Sequence, residues 1–187
     1  MTKCYILGAW ASYDYDESTL PELRPPLTDE FFVKGMQLQL FSEERYLRLR
    51  SSLVEYLQIN GAIPDFNNPT SLRVDIERLL SWLAEEFHRL STSTPTNFER
   101  SNYFQGALSE CFFYIYDLLR YYSLSYRPRF DSYRRLALHY SDNKYTVITL
   151  NYDVLFEAAI TSVGAQYHYF AGAHYPKSIP IAKLHGY

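Results

Sequence analysis

The sequence has only two cysteines in 187 residues, Cys4 and Cys111, and no CxxC pair. That excludes a zinc ribbon built on paired thiolates. The two could bond to each other, but one sits in an apolar opening strand and the other in an apolar helical stretch. That placement fits buried, reduced thiols better. No apolar run reaches the roughly 20 residues that a membrane-spanning helix needs. No basic segment leads into an apolar one at the start, so the expectation is a cytoplasmic protein without a membrane partner. Cationic excess is missing as well: 18 Lys and Arg against 21 Asp and Glu give a net charge of −3. With no cationic stripe, this balance argues against a broad nucleic-acid surface. Internal repeats and low-complexity tracts are also lacking.

Aromatic residues, by contrast, are abundant, at 18% with 19 Tyr and 12 Phe. Rings at that level can fill a core edge, line a groove or form an interface, and composition does not choose among these. Hydrophobic residues make up 47% and charged residues 21%, which describes a globular chain. Its length fits one domain able to bury a real core.

Tyr5-Ile6-Leu7 predicts a short buried strand, followed by a loop with Pro21, Pro25 and Pro26. Thr28 stands before Asp29-Glu30 as an N-cap with acidic first-turn residues, and a helix is expected from Asp29 to about Leu40. A second helix is expected from Glu43 to Ile59, ended by Asn60-Gly61. After Asn67-Asn68-Pro69, Thr70 is expected to cap a third, in which Leu72, Ile76, Leu79, Leu80, Leu83 and Phe87 recur at helical spacing. Ser91 to Asn97 reads as a polar linker. Phe98 to Tyr122 reads as a long helix, apolar almost all round and hence largely buried. A short helix over about Asp131 to Tyr140 precedes a turn at Asp142-Asn143.

The pattern then changes. Tyr145-Thr146-Val147-Ile148-Thr149-Leu150 is β-branched and apolar, as in a central strand. Val154 to Val163 predicts a helix closed by Gly164, and Tyr167–Phe170 and Ile179–Leu184 predict short strands. The expected fold is α/β, a Rossmann-like parallel sheet from residues 1–28 and 141–187 carrying a large helical insertion over 29–140.

In such sheets ligands sit at the carboxyl ends of strands. Three strand ends carry suggestive residues: Gly8-Ala9-Trp10-Ala11-Ser12, Asn151-Tyr152-Asp153, and His185-Gly186. Gly8 would let a phosphate approach the backbone, and Ser12 would donate a hydroxyl to it. Taken alone, each has a plain structural reading. Gly8 is turn geometry, Asp153 caps the next helix, and a histidine before a glycine is more often structural than catalytic.

In this order, the three resemble the sirtuin-like NAD-consuming domains of prokaryotes, including those of antiviral defence. The family's first strand ends in a Gly-Ala-Gly-Ala-Ser type loop, matched by Gly8 to Ser12. Its Thr-x-Asn-Tyr-Asp motif is matched by Thr149-Leu150-Asn151-Tyr152-Asp153, and its Lys-Leu-His-Gly by Lys183-Leu184-His185-Gly186. Pro25-Pro26-Leu27 before Phe31-Phe32, and Asp75-Ile76-Glu77 opening a helical insert, add support. Gly61-Ala62-Ile63-Pro64-Asp65-Phe66 is similar to a sirtuin cofactor loop, but it stands too far from the first glycine and reads as a turn.

The resemblance implies an NAD+ hydrolase that cleaves the nicotinamide–ribose bond, with NAD as substrate and no metal. Without the four cysteines of a zinc ribbon, it favours a hydrolase over a protein deacetylase. Asn151 and His185 would be the catalytic pair, His185 as base and Asn151 positioning the ribose or the attacking water. Asp153 would hold the carboxamide side. Gly8, Ala9, Trp10, Ala11, Ser12, Asp14 and Thr149 would complete the cofactor contacts. Two features depart from the family pattern: Trp10 replaces a glycine against which the phosphates lie, and the strands that hold the adenosine half are not in the sequence. The alternative is a catalytically silent nucleotide-binding or interaction module, and a third is an unrelated helical protein. The Tyr- and Phe-rich helix with Phe112, Phe113, Tyr114, Tyr116, Tyr121 and Tyr122 would serve homo-oligomerisation or, for half of these residues, plain core.

Overall fold

The computed structural model describes residues 4–8, 11–12, 24–42, 46–92, 97–125, 132–142, 145–170 and 178–184. Among them are four strands, β1 (Cys4–Leu7), β2 (Thr146–Thr149), β3 (Tyr167–Tyr169) and β4 (Ile179–Lys183). Six α-helices accompany them: α1 (Phe31–Gln37), α2 (Leu47–Ile59), α3 (Ile76–Ser91), α4 (Phe98–Ser125), α5 (Ser132–Asp142) and α6 (Leu155–Ser162). The strands form one all-parallel sheet in the order β1-β2-β4-β3. This is an α/β arrangement consistent with a Rossmann-like fold. No described helix is long and apolar enough to cross a membrane.

The chain divides into two compact units, residues 26–118 and residues 1–25 with 119–187. The expected helical insertion ran to residue 140, whereas α5 falls with the sheet. Its Tyr133, Ala137 and Tyr140 share a core with Leu7, Val147, Phe156, Ile160 and Ile181, so the apolar face of α5 is spent on the strands.

Local chemistry explains the helix ends. At the end of α2, Gly61 takes a positive φ of 74°, while Ala62 N–H returns to the Leu57 carbonyl at 2.9 Å. That is the glycine stop its sequence suggested. Gly164 likewise stands at φ 75° beyond α6. Two caps differ from expectation. Thr28 does not cap α1; its carbonyl accepts the Ile76 N–H, and Glu30 precedes the helix with its carboxylate on Leu27 N–H. Thr70 lies inside a 3₁₀ turn (Pro69–Leu72), and Asp75 caps α3 by accepting from Glu77 and Arg78 N–H. An aspartate one residue before the first apolar helical position is the stronger acceptor there.

Both cysteines are free, and Cys111 is buried, but Cys4 is exposed, which corrects the expectation for that thiol. Among the described strands β1 pairs only with β2, which makes it an edge strand. The long α4 is less enclosed than its composition suggested: Tyr114 and Tyr122 are buried, whereas Phe112, Phe113 and Tyr116 are more than half exposed.

Candidate functional site

The sheet register determines which loops meet. Leu7 pairs with Thr149, and Thr149 pairs with Lys183, so the last residues of β1, β2 and β4 form one row. Past the row, Leu150 N–H donates to the Leu7 carbonyl at 2.9 Å and Leu184 N–H to the Thr149 carbonyl at 3.1 Å. The segments leading to Ser12, Asn151 and His185 therefore leave the sheet from the same edge. Ala9, Trp10, Asp14 and His185 themselves lie outside the described residues.

At this edge the structure brings together Ser12, Thr149, Asn151 and Asp153, all buried. Asn151 Nδ2 donates to Ser12 Oγ at 2.7 Å and approaches the Tyr133 hydroxyl at 3.3 Å. Ser12 Oγ and Tyr133 Oη are 2.7 Å apart. The Asn151 backbone N–H donates to Thr149 Oγ1 at 3.1 Å, which holds the turn out of β2. Asp153 Oδ1 accepts the N–H of Leu155, the first residue of α6, at 3.0 Å. The carboxylate thus closes the turn that starts that helix.

One acceptor is left over. Asn151 Oδ1 is buried and has no hydrogen-bond partner among the described residues. An orphaned buried acceptor costs about 1–3 kcal/mol. At Gly8 a built Cβ meets nothing within 4 Å among the described residues, so none of them requires a glycine there by packing.

A second, charged layer lies behind the edge. Lys183 Nζ pairs with Glu157 Oε1 at 3.0 Å, with both side chains about 97% buried or more, and also donates to the Asp153 carbonyl at 2.5 Å. Tyr169 donates its hydroxyl to the same Glu157 oxygen at 3.0 Å. Lys183 thereby ties the end of β4 to the start of α6. Burial raises the Asp153 carboxyl above the usual carboxylate range, opposed by hydrogen bonds from Ser12 and Leu155. Burial, with the charge of Asp153 nearby, pushes the Tyr133 phenol up. Burial and Glu157 do the same to Tyr169.

Tyr133, Glu157 and Tyr169 are the members of this network that sequence reasoning missed. Tyr133 is 121 residues from Ser12, beyond any local pattern. Lys183 carried a readable signal, since β4 buries positions 179, 181 and 183 in alternation. A lysine at an inward position calls for a buried anion, and Glu157 stands among the buried Leu155, Phe156, Ala159 and Ile160 of α6. Among the described residues no three His, Cys, Asp or Glu side chains gather as a metal-ligand group. Compared with known proteins, the chain matches no family model and no curated protein.

Proposed function

We propose that this protein is a sirtuin-like NAD+ hydrolase, cleaving the nicotinamide–ribose bond to give nicotinamide and ADP-ribose, of the kind used to deplete NAD+ in defence against phage. The observation that carries the reading is the row Leu7–Thr149–Lys183, from whose edge the glycine–serine, Thr-x-Asn-Tyr-Asp and Lys-Leu-His-Gly segments all depart. Gly8, which no described residue requires by packing, and the buried Asn151 Oδ1, unpaired among the described residues, support it further.

Breaking this bond builds positive charge on the ribose, as in glycoside hydrolysis. The site must then hold nicotinamide, present water to the opposite face of the sugar and remove one proton. Asn151 would accept a hydrogen bond from the ribose or from that water, and His185 would take the proton, its ordinary pKa lying near neutrality. Gly8 and Ser12 would face the phosphates from the turn after β1. Asp153, turned toward Ser12 and α6, would act on the carboxamide side through the loop it holds.

The test is to incubate the protein with NAD+ and resolve the products by chromatography. Nicotinamide and ADP-ribose should appear one for one, and His185→Ala should slow their release by about 10²–10⁴-fold. A second reading, a silent nucleotide-binding module, is favoured by the burial of Ser12, Asn151 and Asp153 against one another. It requires calorimetric binding of NAD+ without any products.

A further inference from the structure

We propose that Tyr133 is a positioning residue, which together with Ser12 locks the Asn151 amide so that Oδ1 is presented as a hydrogen-bond acceptor to a hydroxyl or water of the ligand.

Ser12 and Tyr133 converge on the side-chain amide of Asn151. Ser12 has one hydroxyl proton and two lone pairs. Its Oγ accepts from Asn151 Nδ2 at 2.7 Å and shares one hydroxyl proton with Tyr133 Oη, 2.7 Å away. An acceptor facing the Asn151 amide at that distance demands the NH2 end, because a carbonyl there would set lone pair against lone pair. The same Nδ2 lies 3.3 Å from Tyr133 Oη, which accepts from it. Both hydroxyls thus meet the amide at its NH2 end, and Oδ1 has no partner among the described residues. The orientation is thus dictated by groups on α5 and the β1 turn rather than by the ligand.

Tyr133 suits this task physically. It is buried, its ring packs on Phe156 at 5.5 Å between centroids, and α5 is seated on the sheet through Ala137 and Tyr140. A fixed hydroxyl of this kind orders an active amide in advance, which is worth more than a contact made on demand.

Tyr133→Phe keeps the ring and removes only the hydroxyl. Its effect on turnover rests on the NAD+ reading, so the experiment has a second readout that does not. We expect kcat for nicotinamide release to fall about tenfold, the equivalent of one well-placed hydrogen bond, with KM for NAD+ within about twofold. In ¹⁵N spectra the Asn151 side-chain NH2 pair should shift and exchange faster with solvent. Tyr140→Phe, on the same helix, removes a buried hydroxyl that has no partner among the described residues. It should leave both readouts unchanged. Wild-type kcat in Tyr133→Phe, or unmoved Asn151 NH2 signals, would overturn the proposal. A wild-type protein that releases no nicotinamide, yet shows the NH2 shift in Tyr133→Phe, would sink the hydrolase reading and leave the positioning role standing.

Discussion

In residues 26–118 the largest fully buried side chains are rings and aliphatics, Phe32, Phe41, Phe104, Tyr46, Tyr114, Leu49 and Leu53 among them. That unit's buried polar side chains, Lys34, Ser52 and Ser101, include one charge, whereas the sheet-bearing unit buries Lys183, Glu157 and Asp153 together with Asn151, Thr149 and Ser12. The helical unit follows the ordinary logic of a core: rings meet at 5.0–5.3 Å around Phe32, Phe41 and Tyr114, and the Tyr114 hydroxyl ends on the Phe31 carbonyl at 2.7 Å. The sheet-bearing unit adds to its apolar core a polar one that desolvates charge. Apolar residues of similar volume would often serve stability as well or better. The difference locates the cost, since buried titratable groups gathered at strand ends are where function is found.

Breaking the buried pair should have the largest effect. Lys183→Met leaves the buried Glu157 carboxyl without its cationic partner, and should destabilise the protein by about 3–5 kcal/mol in urea unfolding. Adding Glu157→Met should recover most of that loss. Recovery by the double variant separates a charge penalty from lost packing.

The helical unit should respond to volume rather than charge. A Cβ on Gly35 would stand 1.8 Å from the Tyr114 hydroxyl, which is held by the Phe31 carbonyl. Gly35→Ala should therefore cost about 1–3 kcal/mol through overpacking, measured by thermal or urea unfolding. Combined with Tyr114→Phe, which clears the clashing oxygen, part of this cost should be relieved.

A subtler contrast comes from pH. Burial holds the Asp153 carboxyl above its ordinary value, with Glu157 raising it further and Lys183 lowering it. The folded protein thus binds that proton more tightly than the unfolded chain. Stability from this group is lost as pH rises through the folded pKa, and is fully present below the ordinary aspartate value of about 3.9. As pH falls from neutral toward that value, wild type should gain stability relative to Asp153→Asn. Paired urea titrations at several pH values would show it, and parallel curves would contradict it.

Much of this architecture was legible residue by residue. The β-branched run over 145–150, the short strand expected over Ile179–Leu184 and the glycine stops at Gly61 and Gly164 each correspond to an observed element. The cap at Thr70 was misread because Asp75 offers a carboxylate in better position, and the one at Thr28 because α1 starts without a side-chain cap, Glu30 turning its carboxylate back to Leu27 N–H. The exposed rings of α4 were misread because an apolar helix looks the same from its sequence whether or not every face is covered. Within the site, Ser12, Asn151 and Asp153 stood out because strand ends mark themselves. Tyr133 did not, because its partners are far away in sequence and a tyrosine on an apolar helix face looks like plain core.

The central claim is that the buried polar edge of the sheet acts on NAD+ through Asn151. Its most direct test is nicotinamide release from NAD+ by wild type and Asn151→Ala at equal concentration, with circular dichroism as the check on folding. The account predicts steady release by wild type and a loss of about 10²–10⁴-fold in the variant, with unchanged secondary structure. Equal release by the two proteins, or none by a folded wild type, would contradict it.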